Sequence, residues 1–173
     1  MMARKKKIAV LVEDNYQDLE VWYPILRLRE AGCEVVSIEP RSQKHYLGKW
    51  GYPIDVDTSI DQVKAEDFDA VVIPGGWAPD KLRLSKKILD FVAAINKQKK
   101  VVASICHGGW VLISAGICKG RKLTSFIAIK DDLVNAGAKF VDEEVVQDGN
   151  LITSRKPDDL PAFCRAILKA LEG

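Results

Sequence analysis

Residues 101–109 read V-V-A-S-I-C-H-G-G. Lys100–Ile105 (K-V-V-A-S-I) is the pattern of a strand buried on both faces of a parallel sheet. It passes without a spacer into Cys106-His107 and then into a glycine-rich helix start, Gly108–Ala115, closed by Gly116. A strand that becomes a helix around one residue presents that side chain at the carboxyl end of the sheet. This is the nucleophile-elbow arrangement, with cysteine in place of serine. Such a turn is expected to force Cys106 into sparsely populated backbone dihedrals. The helix N-terminus offers a positive dipole and free N–H groups, so the thiol pKa is expected to fall. Open α/β sheets place their sites at the carboxyl ends of their strands. The competing reading is a buried core thiol with His107 as an incidental neighbour.

Working outward, strands alternate with helices, the signature of a parallel sheet covered on both faces. Lys7–Val12 and Asp69–Ile73 are continuous apolar strands, and Glu34–Glu39 is a third. Tyr16–Arg29 reads as a helix with Leu19, Trp22, Tyr23 and Leu26 on its apolar stripe. Pro24 should kink it or leave carbonyls to other donors. Tyr46–Val56, punctuated by Gly48, Gly51 and Pro53, reads as a small hairpin off the main sheet. Asp80–Lys97 is expected to be one helix, with Ile88, Leu89, Val92 and Ile95 inward. Lys122–Ser125 is a short strand, Ala128–Ala136 a helix, and Asp158–Leu171 the terminal helix. Val145–Gln147 and Leu151–Ser154 flank Asp148-Gly149-Asn150 as a hairpin.

The 173 residues suit one domain, and 47% hydrophobic with 29% charged residues is the composition of a folded globule. Net charge is +2, which gives no electrostatic case for nucleic acid or a membrane surface as main partner. The run Arg4-Lys5-Lys6-Lys7 reads as a solvated chain end. No apolar run approaches the ~18 residues of a membrane helix, and no secretory signal is apparent, so the cytoplasm is the expected location. Four cysteines (Cys33, Cys106, Cys118, Cys164) and two histidines (His45, His107) form no Cys-x-x-Cys pair or zinc-ligand spacing. Neither metal nor cofactor is expected, and His45 reads as a surface residue of the hairpin.

Five segments together carry a resemblance: Tyr16–Pro24 (Y-Q-D-L-E-V-W-Y-P), Val72–Pro79 (V-I-P-G-G-W-A-P), Ala103–Gly108 (A-S-I-C-H-G), Leu112–Lys122 (L-I-S-A-G-I-C-K-G-R-K) and Ile129–Gly137 (I-K-D-D-L-V-N-A-G). In this order they are similar to the PfpI-type intracellular cysteine proteases. Those belong to the ThiJ/PfpI superfamily, which also holds the parkinsonism-associated protein deglycase. The resemblance covers roughly Lys7 to Leu171. It implies a single class I glutamine amidotransferase-like domain over 1–173, folded as an α/β flavodoxin-like three-layer sandwich with a mainly parallel sheet and a small β-hairpin. It implies Cys106 as nucleophile, a Glu20 carboxyl against its sulfur, and His107 as base or proton shuttle. It further implies an oxyanion hole from the backbone N–H groups of Gly76 and His107. It makes the protein a homo-oligomer, dimer or hexamer, in which Asp80 reaches His107 of a neighbouring subunit. Each residue has a plainer reading: Glu20 as a surface carboxylate, Gly75-Gly76 as a turn, Asp80 as a helix cap.

The sequence departs from the family at several points. Gln17 replaces an acid, Phe126 a tyrosine, and Gly109 a proline. Trp77 and Trp50 stand at polar or charged positions. With Trp110, and with Phe126, they form a candidate apolar substrate rim, or else packing and subunit contacts. The implied activity is that of a cysteine-dependent hydrolase attacking a small-molecule carbonyl or a peptide, hence a peptidase or a glyoxalase- or deglycase-like enzyme of dicarbonyls and their adducts. The alternative is a non-enzymatic oxidative-stress sensor or chaperone that works through Cys106 oxidation.

Overall fold

A computed structural model describes residues 4–172; the outermost ends of the expected domain range lie outside the described residues. In chain order the elements are β1 (Lys7–Leu11), α1 (Asp18–Glu30), β2 (Glu34–Glu39), β3 (His45–Leu47), β4 (Pro53–Asp55), β5 (Thr58–Ser59), β6 (Ala70–Ile73), α2 (Ala78–Leu82), α3 (Lys86–Lys97), β7 (Val101–Ile105), α4 (Gly109–Ser114), β8 (Lys122–Leu123), α5 (Lys130–Asn135), β9 (Lys139–Phe140), β10 (Val145–Asp148), β11 (Leu151–Ser154) and α6 (Leu160–Glu172).

The main sheet has seven strands in the order β10-β11-β7-β6-β1-β2-β5. All are parallel except β10, which runs antiparallel to β11. Helices α1 and α6 pack together on one face, and α3 and α4 lie against β6 and β7 from the other. β1, β6 and β7 are buried along almost their whole length, which is why they read as unbroken apolar runs. β1 lies between β2 and β6. The winding of the chain reverses there, so the loops after β1 and β6 part and open a crevice at the strands' carboxyl ends. This is the mainly parallel, flavodoxin-like sandwich, with β3–β4 as a separate two-stranded hairpin.

Several elements differ from the sequence expectation. The single helix over Asp80–Lys97 is two helices. Ser85 Oγ accepts from the Ile88 N–H at 3.3 Å, capping α3, and Leu84 before it is 82% exposed. A serine N-cap starts a new helix more favourably than an old one continues through it. In α1 the inward stripe is Val21, Pro24, Ile25 and Leu28, whereas Leu19 and Leu26 face outward. The helix is apolar on two sides, and the β-branched and proline side is the one the sheet takes. The outward side forms an open groove of about 520 Å3 with Trp22, Trp50 and Tyr52, which holds no nucleophile. Helix α1 runs unbroken past Pro24. Two-residue strands β5 and β9 carry too little pattern to be read. β8 pairs with β9 in a separate small parallel sheet. The segment before α5 is a single 3-10 turn, Ile127–Ile129, and α6 is likewise preceded by one at Pro157–Asp159. The basic run is not wholly solvated: Arg4 pairs with Asp69 at 2.7 Å and Lys7 with Glu34 at 3.0 Å. Among the described residues no helix is long and apolar enough to cross a membrane.

Candidate active site

The elbow is built from the end of β7. Cys106–Gly108 make one 3-10 turn between β7 and α4, and Cys106 sits at φ +59°. For a non-glycine residue that is a left-handed conformation costing about 1–3 kcal/mol. Two features hold the chain in it. A Cβ on Gly108 would lie 2.7 Å from both the Ile73 carbonyl and Ser104 Oγ, so only glycine lets the helix start this close to the sheet. The Phe126 N–H donates to the Cys106 carbonyl at 3.3 Å. Cys106 as a whole is only 8% exposed.

Two further loops meet it. Glu20, on the first turn of α1, is fully buried and its Oε2 accepts the Gly75 N–H at 2.7 Å. Gln17 Oε1 caps that turn by accepting the Glu20 N–H at 3.0 Å. A Cβ on Gly75 would stand 2.6 Å from Glu20 Oε2 and 2.9 Å from Cys106 Sγ. The missing side chain of Gly75 therefore leaves room for both carboxyl and sulfur, and each shifts the titration of the other. Gly76 takes φ +72°, and a Cβ there would strike the Gln17 N and the Asn15 O. The backbone N–H groups of Gly76 and His107 both act on the Cys106 sulfur. From sequence alone Gly75 reads as part of a turn; the signal for its larger role is the Pro74-Gly75-Gly76 run directly after a buried strand.

His107 Nδ1 lies 3.3 Å from Cys106 Sγ. The ring is held by aromatics. It stacks on Phe126 at 5.2 Å and 27°, and meets Trp110 edge-on at 5.1 Å, with Trp77 at 6.0 Å. Trp110 is itself braced, its indole N–H donating to Asp132 Oδ2 at 2.8 Å. Over the sulfur opens a cleft of about 470 Å3, walled by Trp50, Trp77, Phe126 and Pro157, with Gln17 and Lys49 at its polar side. Trp110 does not line it; it packs behind His107 and borders a neighbouring depression with Arg83.

A sequence profile of the DJ-1/PfpI family matches residues 6–170. The chain belongs to the DJ-1/PfpI family. Deglycase PfpI of Pyrococcus furiosus is 45% identical over 166 residues, spanning 96% of this chain and 99% of that one. Protein/nucleic acid deglycase 2 of Escherichia coli is 46% identical over 168 residues, spanning 96% and 98%. A crystal structure of a two-domain Anabaena variabilis protein, with DJ-1/ThiJ/PfpI-like and ferritin-like domains, superposes with a TM-score of 0.95 at 46% identity. It covers 97% of this chain, which spans about half (48%) of that longer one.

The electrostatics of this family member correct one expectation. Burial pushes the Cys106 thiol up to about 12, and the nearby Glu20 charge adds to the rise; the His107 and Gly76 N–H groups oppose it without winning. Desolvation of a thiolate outweighs two backbone donors, so the resting sulfur is a thiol. Burial likewise raises Glu20 to about 7, against the lowering pull of the Gly75 N–H and the thiol. Sulfur and carboxyl titrate as a pair. Protonating Glu20 removes its repulsion and turns it into a donor toward sulfur. Burial lowers the His107 pKa, so its ring is neutral at pH 7 and able to accept a proton.

Asp80 lies apart from this constellation. It is exposed on the first turn of α2, and its cap reading fails because Trp77 holds the N-cap position without a side-chain bond. Among the described residues no acid side chain bonds His107. His45 is at the surface, paired with Asp55 across the hairpin. Lys49 and Asp132 are neighbours of the site that the sequence did not single out. Lys49 sits in a glycine-flanked loop with no periodicity, and Asp132 is joined to the site only by tertiary packing.

Proposed function

We propose that this protein is a cysteine-dependent hydrolase whose Cys106 attacks the carbonyl of small reactive dicarbonyls or their adducts, a glyoxalase- or deglycase-like activity. The observation that carries this is the strained Cys106 with its sulfur 3.3 Å from the neutral His107 Nδ1 and within reach of the Gly76 and His107 N–H groups. His107 accepts the thiol proton as sulfur attacks. The S–C bond forms, the carbonyl π pair moves to oxygen, and the N–H groups are placed to receive the developing charge. With a 2-oxo aldehyde the product is a hemithioacetal. Moving its carbon-bound proton to the adjacent carbonyl carbon, through His107 or Glu20, while the hydroxyl proton passes to that carbonyl's oxygen, gives a thioester. Water cleaves that to a 2-hydroxy acid and frees the thiol. One carbon is oxidised and its neighbour reduced, so the balance needs no cofactor.

A cysteine only 8% exposed under aromatic walls favours a small carbonyl over an extended peptide, which makes peptidase activity the weaker arm. We also propose that His107 is oriented by Asp80 of a second copy of the chain, since its own chain surrounds it with aromatics and Asp80 stands exposed. The four free thiols suit a reducing compartment, for which we propose the cytoplasm. The sensor reading draws on Glu20, whose protonated carboxyl could donate to an oxidised sulfur. Parallel steady-state assays of wild type and Cys106→Ser on methylglyoxal and a fluorogenic peptide separate these readings. Turnover of methylglyoxal that disappears in the variant is the expected result. Peptide cleavage alone would make it a peptidase, and no turnover of either would leave the sensor.

A further inference from the structure

We propose that Lys49 forms an anion subsite at the mouth of the Cys106 cleft, so that the preferred substrates are carbonyl compounds carrying a carboxylate. This rests on the hydrolase reading for the word substrate, but the subsite stands on its own geometry. Lys49 lines the same cleft as Cys106 and His107. Its backbone is fixed: the Lys49 N–H donates to the Tyr16 carbonyl at 2.7 Å, and the Gly48 N–H to the Tyr52 carbonyl at 2.9 Å. The acid beside this loop, Asp18 at the start of α1, is committed to the loop backbone, accepting the N–H groups of Trp50 at 2.9 Å and Tyr52 at 3.0 Å. Lys49 itself makes no ion pair among the described residues. Its ammonium instead lies over the Trp50 ring, 5.4 Å from the centroid, which holds the charge at the cleft's edge.

The other charges facing the cleft are few. Glu20 is fully buried against the sulfur, whereas Lys49 is exposed. An approaching anion therefore meets the lysine first, between the apolar walls of Trp50, Trp77 and Phe126, where Coulomb attraction is less screened than in open water. The field of Lys49 reaches both Glu20 and His107. Because Lys49 and Cys106 line one cleft, a ligand whose carbonyl is within reach of Cys106 can present its anionic end to Lys49.

A lysine that only favoured the thiolate would speed every electrophile alike; a subsite discriminates between them. The test uses iodoacetate and iodoacetamide, which alkylate by the same displacement of iodide and differ in one charge. Site-resolved rates at Cys106 are measured by mass spectrometry in wild type, Lys49→Met and Lys49→Arg, with half-buried Cys33 as an internal control. The iodoacetate-to-iodoacetamide rate ratio at Cys106 should fall roughly tenfold in Lys49→Met, and also in wild type at about 1 M salt. It should stay near wild type in Lys49→Arg, with no change at Cys33. An unchanged ratio at Cys106, or equal slowing by both reagents, overturns the subsite. In the second arm glyoxylate and glyoxal protect Cys106 as reversible hemithioacetals, the S–C bond forming as the thiol proton passes to oxygen. The advantage of glyoxylate over glyoxal should shrink in Lys49→Met, and an unaltered advantage overturns the substrate class. If the ratios behave as stated but no dicarbonyl is turned over, the hydrolase reading fails and the anion subsite stands.

Discussion

Glu20→Gln should make the protein more stable at neutral pH and remove part of its pH dependence. The side chain is fully buried, and its carboxyl is raised from 4.5 to about 7, chiefly by desolvation. At roughly 1.4 kcal/mol per pH unit, that rise corresponds to about 3–4 kcal/mol. The sign follows from proton binding: above pH 4.5 the unfolded chain has lost this proton while the folded chain keeps it. The stability it confers is complete below pH 4.5, falls as the pH climbs, and is lost once the pH passes about 7. Glutamine has the same shape, can accept the Gly75 N–H and can point its NH2 toward the sulfur, but has no charge to desolvate. Urea unfolding of both proteins at pH 5 and pH 8 isolates this group. Wild type should lose about 2–3 kcal/mol more than Glu20→Gln across that interval. His107, whose lowered pKa costs stability as pH falls, is common to both proteins and cancels in the difference. Parallel pH profiles for the two proteins would show that Glu20 is ionised in the folded state at pH 5, and would refute the burial-raised carboxyl.

Because Cys106 sits at φ +59°, Cys106→Gly should be more stable than Cys106→Ala by about 1 kcal/mol in thermal or urea unfolding, although both are inactive; the opposite order would mean the elbow is unstrained. Gly75→Ala places a methyl 2.6–2.9 Å from Glu20 Oε2 and the Cys106 side chain. It should cost about 1–3 kcal/mol of stability and lower turnover roughly 100-fold by displacing the sulfur; near-wild-type activity would contradict the contact. Asp80→Ala should lower turnover while leaving Cys106 alkylation nearly intact, and mixing it with Cys106→Ser subunits should restore part of the activity. Absence of complementation where subunits demonstrably exchange would mean that each chain works alone.

The core strands were legible because their burial is written locally. β1, β6 and β7 are covered on both faces, so the apolar run is itself the signal. The same rule failed on α1, where apolar residues occupy two faces and periodicity alone does not say which meets the sheet. It failed on residues 80–97 as well, where a continuous helical pattern concealed the cap at Ser85. The elbow was legible because strand, cysteine and glycines are contiguous. Glu20 was not, in physical terms: a glutamate beside Leu19 reads as surface, and only the resemblance placed it at the sulfur. Its burial arises because Gly75, 55 residues away, supplies a donor and leaves no side chain in between. Lys49 and Asp132 matter through contacts that no local pattern encodes.

The sequence also misjudged the thiol, and the reason bears on how the site works. A helix N-terminus lowers a thiol pKa when the sulfur remains near water; here the sulfur is enclosed, and desolvation wins. The fold therefore holds no ready-made thiolate. Burial raises both the Glu20 carboxyl and the Cys106 thiol, and a neutral imidazole lies 3.3 Å from the sulfur. On the proposed mechanism, attack on an electrophile develops the charge that the Gly76 and His107 N–H groups act on. Strain at Cys106 and desolvation at Glu20 both oppose folding, and both lie at the crevice beside β1. The unbroken apolar strands around them supply the stability that keeps these two groups in place.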